Sequence, residues 1–414
     1  MVYINNGVVR KFLLISNILF LLQSGTFAQT LKVEENQIII GNVDSLYSET
    51  LGEGRSIWVY VPRSAEDPGK KFPVLYLLDG DVHFYSVTGM LQQLSVANGN
   101  TISPEMIVVA IPNTNRIRDL TPSTVGYSPS SGGAENFTTF IEKELIPFID
   151  KKYPTTPYRT ILGHSWGGLF VVNTLIHHAE LFDNYIAIDP TIRWNNLSFF
   201  KEVNLLLENK EFDCKSLYLA MANRLPKGLN LTTVLADTLK SSEHMRTILQ
   251  FSNTCSVASG LNFESTFYEN DNHNGVPFIA SYDAIRFLFQ WYNFNEEILF
   301  DEASNMNTQE LVDMLTKHYK NISDHFGYAY LPPERIINRF GEIEMNEKEY
   351  DKAFALYSLN INNYPRSFMV YDAMGDYYRA QNERNKTIEY YKRSLEIKET
   401  VRTRQKLNRE EATH

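Results

Sequence analysis

The sequence predicts an α/β fold: a mostly parallel sheet flanked by helices, followed by a small all-helical domain. Three observations carry this. Continuous apolar runs of strand length, Phe72 to Leu78 and Met106 to Ile111, fit strands buried on both faces. Amphipathic stretches alternate with such runs, as in Glu135 to Lys152, where Phe137, Phe140, Ile141, Leu145 and Ile149 fall near helical spacing. That alternation argues for parallel strands joined by helical crossovers. Strand-like runs then stop around Phe294 to Leu299, and only helical patterns follow to the end.

Eight strands are predicted in order. Gln37 to Ile40 is β-branched, and Ser56 to Val61 ends at Pro62. Phe72 to Leu78 stops at Asp79-Gly80-Asp81, and Met106 to Ile111 stops at Pro112-Asn113. A polar stretch from Asn113 to Gly133 reads as a long loop beside a functional site. After the helix at 135–152 comes a fifth strand ending at Gly163, and then an apolar helix to about His178. Tyr185 to Ile188, Leu217 to Ala222 and Phe263 to Tyr268 complete the set, with helices expected over 231–251 and 281–292.

Between the fifth strand and its helix lies Gly163-His164-Ser165-Trp166-Gly167. A G-x-S-x-G turn between strand and helix is a nucleophile elbow. The sharp turn pushes the serine hydroxyl into open space, and the flanking glycines permit close backbone approach. The helix that starts at the serine directs free N–H groups and its positive dipole end at any developing oxyanion. An elbow after the fifth of eight strands is the α/β-hydrolase plan.

Serine at neutral pH is a weak nucleophile and needs a base and oxyanion donors. Of the nine histidines, His273 lies in the loop after the last strand, in the chain order this plan requires. Trp166, following the nucleophile, supplies one oxyanion N–H, and Asp81, in the loop after the third strand, the other. The acid is open. The loop after Ala222, Asn223 to Gly228, holds no carboxylate. Asp189 follows the preceding strand, and Glu269 and Asp271 share the histidine loop. A dyad oriented by Asn223 or a backbone carbonyl is a further arrangement. Asp271 stands as the acid candidate.

At this point the chain resembles the esterase branch of the α/β-hydrolases, which includes enterochelin-type siderophore esterases, feruloyl esterases and S-formylglutathione hydrolase. Four stretches carry the resemblance: Val74 to Gly80, Asn115 to Pro122, Gly163 to Gly168, and Asn272 to Pro277. It implies Ser165 as nucleophile, His273 as base, a carboxylic-ester substrate, and closest likeness to exported siderophore esterases with a helical tail. Members of that subgroup can work with an incomplete triad. The chain departs from the pattern at Asp189-Pro190-Thr191-Ile192-Arg193-Trp194, where Ser-Pro-Ser before tryptophan is usual, and at Asn274, where glycine is usual. Tyr127, Arg193, Trp194 and Asp119 are expected to line the substrate pocket, with an Arg116/Asp119 ion pair as the structural alternative for Asp119.

The remaining features set the context. A net charge of −10 disfavours nucleic acid as a partner. No cluster has metal-ligand spacing, so neither a metal nor another cofactor is expected. Residues 1–28 read as a signal peptide: Arg10-Lys11, the apolar run Phe12 to Leu22, and a small residue, Ala28, before Gln29. The hydrolase domain is then 29–295 and the helical domain 296–414, exported to the periplasm or medium with no membrane span. Cys214 and Cys255 could pair in an oxidising compartment. In the tail Phe340-Gly341 recurs as Met374-Gly375 and Tyr357 as Tyr391, a 34-residue offset (340 to 374, 357 to 391). That is the tetratricopeptide period, giving two repeats at about 334–400 that could present a face to a protein partner. The charged segment from Arg402 is expected to fray.

The leading expectation is an exported serine esterase acting through an acyl-enzyme on a siderophore lactone or on acyl groups of a polysaccharide. The competing one is a degenerate hydrolase domain serving as a scaffold through its repeats. Export predicts that N-terminal sequencing of the mature protein begins at Gln29; an intact Met1 or Val2 rules the cleavage out.

Overall fold

The apolar runs lie side by side in one sheet. The computed structural model describes residues 32–34, 37–66, 69–97, 100–294 and 306–412. The expected signal peptide lies outside the described residues. The strands are β1 (Lys32–Glu34), β2 (Gln37–Ile39), β3 (Asn42–Ser48), β4 (Glu53–Tyr60), β5 (Phe72–Leu78), β6 (Ile107–Ile111), β7 (Thr155–His164), β8 (Asn184–Ile188), β9 (Lys215–Ala222) and β10 (Leu261–Tyr268). The chain divides into two units between Asn293 and Phe294.

The first unit holds an eight-stranded sheet in the order β10-β9-β8-β7-β5-β6-β4-β3. Strands β6, β5, β7, β8, β9 and β10 run parallel, while β4 and β3 are antiparallel to their neighbours. Every residue of β5, β6 and β8 is buried, as the unbroken apolar runs require. The first strand of this sheet differs from expectation. Gln37–Ile39 pairs only with β1 in a separate two-stranded sheet, and the true edge strand is Asn42–Ser48. Its residues are mostly exposed, so it lacks the apolar run that marks an interior strand.

The helices of this unit are α1 (Gly80–Ser95), α2 (Arg116–Leu120), α3 (Ala134–Phe140), α4 (Ile146–Lys152), α5 (Trp166–His177), α6 (Ser198–Leu207), α7 (Glu243–Cys255) and α8 (Val276–Leu288). The amphipathic stretch 135–152 is one run interrupted by a π turn at Ile141–Leu145. The stretch 231–251 is not one helix: a helical turn at Thr233–Ala236 and a 3-10 turn at Lys240–Ser242 precede α7, which begins at Glu243. Helix α8 starts five residues before expectation, where Gly275 and Pro277 favour initiation. Cys214 is exposed and Cys255 buried, and both are free thiols.

The second unit contains α9 (Thr308–Phe326), α10 (Glu334–Asn346), α11 (Tyr350–Asn363), α12 (Phe368–Ala380), α13 (Arg384–Ile397) and α14 (Val401–Ala412). Helices α10 and α11 form one hairpin and α12 and α13 a second, each helix beginning 34 residues after its counterpart (334 to 368, 350 to 384). The packing repeats too. A Cβ on Gly341 would lie 2.3 Å from the Tyr357 ring, and one on Gly375 would lie 2.5 Å from the Tyr391 ring. Each glycine is a notch that receives a tyrosine from the paired helix. The turns also match, with Lys348 and Asn382 both at positive φ. Where the charge pattern predicts fraying, Val401–Ala412 is instead helical and packed. Lys406 Nζ donates to Asp372 Oδ2 and Asp376 Oδ2, both at 2.6 Å, and Leu407 is buried with Tyr391 and Leu395. Gly375→Leu overpacks this notch, an effect worth about 1–3 kcal/mol. Hydrogen exchange in α12 and α13 is expected to accelerate accordingly; unchanged protection contradicts the interlock.

Candidate functional site

The site begins with two turns that the sheet brings together. Strands β5 and β7 are parallel neighbours with Leu77 opposite Leu162. The turn after β5, Asp79-Gly80, therefore lies beside the turn after β7, His164-Ser165. Each opens a helix, α1 and α5, whose first N–H groups have no intrahelical acceptor. Ser165 sits at φ 61°, ψ −112°, a conformation disfavoured for a residue with a side chain. The surrounding structure holds it there. Ser165 N–H donates to Ile188 O at 2.9 Å, and a Cβ on Gly163 would fall 2.3 Å from Gly167 O. The elbow thus requires glycine at 163 on steric grounds.

An ionic cross-brace joins the two turns. Arg116 donates from Nε to Asp79 Oδ1 at 2.5 Å, from Nη2 to Asp79 Oδ2 at 2.9 Å, and from Nη2 to the carbonyl of His164 at 3.1 Å. Asn113 Nδ2 donates to Asp79 Oδ1 at 2.8 Å. Burial pushes the Asp79 carboxyl up, but the Arg116 and Asn113 hydrogen bonds outweigh it and hold the group below its ordinary range. Arg116 is thus committed to Asp79 and not to Asp119. Asp119 is buried against Arg55, at 2.7 Å, and Arg118, so it is a structural ion-pair residue and lines no pocket surface.

Ser165, His273 and Asp189 stand in a line. His273 Nδ1 lies 2.5 Å from Asp189 Oδ2, and His273 Nε2 lies 3.1 Å from Ser165 Oγ. An ionised carboxylate can only accept, so Nδ1 carries the proton and Nε2 presents its lone pair to the serine hydroxyl. This is the tautomer a general base needs. Asp271 is not the partner. Its backbone carbonyl accepts from Asn223 N–H at 2.8 Å, and the carboxylate facing His273 is that of Asp189, at the end of β8. Asn223 does not orient the imidazole either; its Nδ2 donates to Glu269 O at 2.8 Å and ties down the His273 loop.

Asp189 is fully buried with φ 39°. Burial pushes its carboxyl up, but hydrogen bonds from His244 and His273 prevail and hold it far below the ordinary carboxylate range. His244 Nε2 lies 3.0 Å from Asp189 Oδ1, and Arg224 Nη1 lies 3.5 Å from Oδ2. Neither His244 nor Arg224 stands out in the sequence, because their pairing with Asp189 spans 55 and 35 positions (189 to 244, 189 to 224). His164 packs its ring 4.5 Å from that of His273 and 6.0 Å from that of His83. Burial, with the neighbouring histidines, lowers its pKa to about 4, so it faces His273 uncharged at neutral pH.

Outward from the elbow runs an aromatic wall. The Trp166 and Trp194 rings lie 6.3 Å apart, as do those of Trp194 and Tyr127. Arg116 stacks over Trp166 at 5.2 Å. Trp194 is buried, its Nε1 donating to Ser123 O at 3.1 Å, while Tyr127 is 80% exposed. Arg193 approaches Glu243 at 3.7 Å. Asp81 is exposed, and its Oδ1 accepts from Asn113 N–H at 3.3 Å, so its side chain turns away while its own N–H stays in the first turn of α1.

A family model described as "Putative esterase" matches residues 48–238. This unit has the α/β-hydrolase fold, and over those residues it is similar to the esterases. A siderophore enterobactin esterase from Emericella nidulans is 33% identical over 159 residues, which cover 34% of this chain and 52% of the relative. The ferri-bacillibactin esterase BesA of Bacillus subtilis is 31% identical over 188 residues, 41% of this chain and 65% of that protein. The chain therefore spans between about half and two thirds of the length of these curated relatives. The crystal structure of an IroE-like serine hydrolase from Shewanella oneidensis, 27% identical, superposes with a TM-score of 0.65 over 78% of this chain and 99% of that one.

Because folding depresses the Asp189 carboxyl, its contribution to stability is complete above the ordinary carboxylate pKa of about 4 and lost as pH falls below it. Asp189→Asn should lower the urea midpoint at pH 7, with the gap to wild type narrowing toward pH 3. A constant gap contradicts a buried ionised carboxylate.

Proposed function

We propose that the first unit is a serine ester hydrolase. The observation that carries this is the line Ser165 Oγ, His273 Nε2, His273 Nδ1, Asp189 Oδ2, with spacings of 3.1 Å and 2.5 Å across the ring. Ser165 Oγ attacks the ester carbonyl carbon while His273 takes its proton. The tetrahedral oxyanion is received by the N–H groups of Trp166 and Asp81, which open the two adjacent helices. The C–O bond of the leaving alcohol breaks as His273 returns the proton to it, leaving an acyl-enzyme on Ser165. Water, deprotonated by His273, then attacks the acyl carbonyl; the C–Oγ bond breaks as His273 returns the proton to Ser165 Oγ, and the carboxylic acid leaves. Asp189 fixes the imidazole tautomer and stabilises the imidazolium.

The activities of the relatives support a siderophore ester as the substrate class, in preference to acyl groups on polysaccharide. The aromatic wall of Trp166, Trp194 and Tyr127 with the Arg116 guanidinium suits a ligand with flat rings and anionic oxygens. We read the pre-Gln29 segment as an export signal, and the 34-residue hairpins as tetratricopeptide-like repeats offering a surface to a protein partner. A complete acid–base–nucleophile line argues against the degenerate-scaffold reading.

On short p-nitrophenyl esters, Ser165→Ala is expected to abolish turnover and labelling by a fluorophosphonate probe; retained turnover overturns the reading. Asp189→Asn should lower kcat by about 10³–10⁴-fold, because an amide facing Nδ1 favours the wrong tautomer. Asp271→Asn should leave kcat near wild type.

A further inference from the structure

Asp189 is served by two histidines, and the hydrolytic reaction uses only one. Its oxygens are divided between separate donors. Oδ2 faces His273 at 2.5 Å and Arg224 at 3.5 Å, while Oδ1 faces His244 Nε2 at 3.0 Å and the Ala222 N–H at 3.3 Å. A carboxylate turns about a single torsion, and only a narrow range of that angle puts an oxygen in line with His273 Nδ1. We propose that His244 is a positioning residue: its Nε2–H, donated to Oδ1, holds the Asp189 carboxylate so that Oδ2 meets the imidazole of His273. This rests on the serine-hydrolase reading above.

The surroundings of His244 suit that role. The ring is buried, with 6% of the residue exposed, so its orientation is set by packing and by this one strong acceptor. It lies at the second position of α7, where the positive end of the helix disfavours a second proton. The charged groups around it agree: Arg224 Nη1 stands 3.5 Å from Nε2, and Arg193, paired with Glu243, adds positive potential. Against them stands the Asp189 carboxylate. His244 is thus a neutral imidazole with its proton on Nε2. The Arg224 contact at 3.5 Å joins two donors and is not a hydrogen bond. A neutral donor shares the buried negative charge without neutralising it, leaving Asp189 able to stabilise the His273 imidazolium.

The experiment compares wild type, Ser165→Ala, His244→Phe and His244→Gln on a p-nitrophenyl ester across pH 5–9. His244→Phe keeps the ring and loses the donor. It is expected to lower kcat by about 10- to 100-fold, the loss of one hydrogen bond to a charged group. KM should stay within about twofold, because losing this hydrogen bond disturbs the orientation of the base and leaves substrate binding intact. The acid limb of the kcat/KM profile should move to higher pH, because a carboxylate that shares less of its charge holds the imidazolium proton more strongly. His244→Gln, whose amide N–H can reach the same oxygen, should recover most of the lost rate and restore the limb. A His244→Phe enzyme with wild-type kcat and pH profile overturns the proposal, as does a Gln variant no better than Phe. Should the Phe variant not fold, ¹⁵N-histidine spectra of the wild-type chain decide: His244 must be the Nε2–H tautomer, and an Nδ1–H tautomer overturns the role. Wild-type rates retained by Ser165→Ala would instead sink the underlying serine mechanism and leave the tautomer result standing.

Discussion

A carboxylate with no exposed surface organises the first unit. An isolated buried charge is too costly to keep, so the fold must bring donors to it. Asp189 draws them from three parts of the chain: the Ala222 N–H and Arg224 around the end of β9, His244 from α7, and His273 from the loop after β10. Satisfying this one side chain therefore fixes how the C-terminal half of the sheet closes over the elbow. The same arrangement that relieves the buried charge aims an imidazole lone pair at Ser165. On the proposed mechanism stability and chemistry share these hydrogen bonds, and a change that loosens one loosens the other.

Asp79 plays the corresponding part on the other side of the nucleophile. It too is buried, and Arg116 balances it while reaching the carbonyl of His164. The two turns after β5 and β7 are thus held by an ion pair as well as by strand pairing. Gly167 completes the fit, since a Cβ there would lie 3.2 Å from Asp79 Oδ2. The Asn115-to-Pro122 stretch, which reads in sequence as a polar loop, is where this brace originates.

Much of this is legible in the sequence because it depends on local pattern. Buried parallel strands are continuous apolar runs, and the elbow glycines sit at fixed offsets, so Ser165 and the strand order around it can be read directly. His273 follows from chain order. The rest is hidden where the governing contacts are non-local. The edge strand Asn42–Ser48 has no apolar run because little of it is buried, while the apolar Gln37–Ile39 resembles the first strand of a sheet it does not join. The natural places for the acid are after β9 and beside His273, yet Asp189 reaches the imidazole from the end of β8, a strand adjacent to the nucleophile strand. Nothing in a linear reading distinguishes that aspartate from Asp271. The C-terminal helix misleads for a related reason: its charge looks like a solvated tail, but Lys406 is matched by Asp372 and Asp376 of α12. In the tail the 34-residue period is visible because each Gly–Tyr notch is a local repeat.

The loop that carries His273 has one more property. Its carbonyls at 269 and 271 are both gripped by Asn223, one by the side-chain amide and one by the backbone N–H. His273 is thereby moored to the neighbouring strand end. The entropy of ordering that loop is spent during folding. On the proposed mechanism the base then needs no disorder-to-order step to gate the reaction, and motions that limit turnover are to be sought in other segments, such as the one bearing the exposed Tyr127.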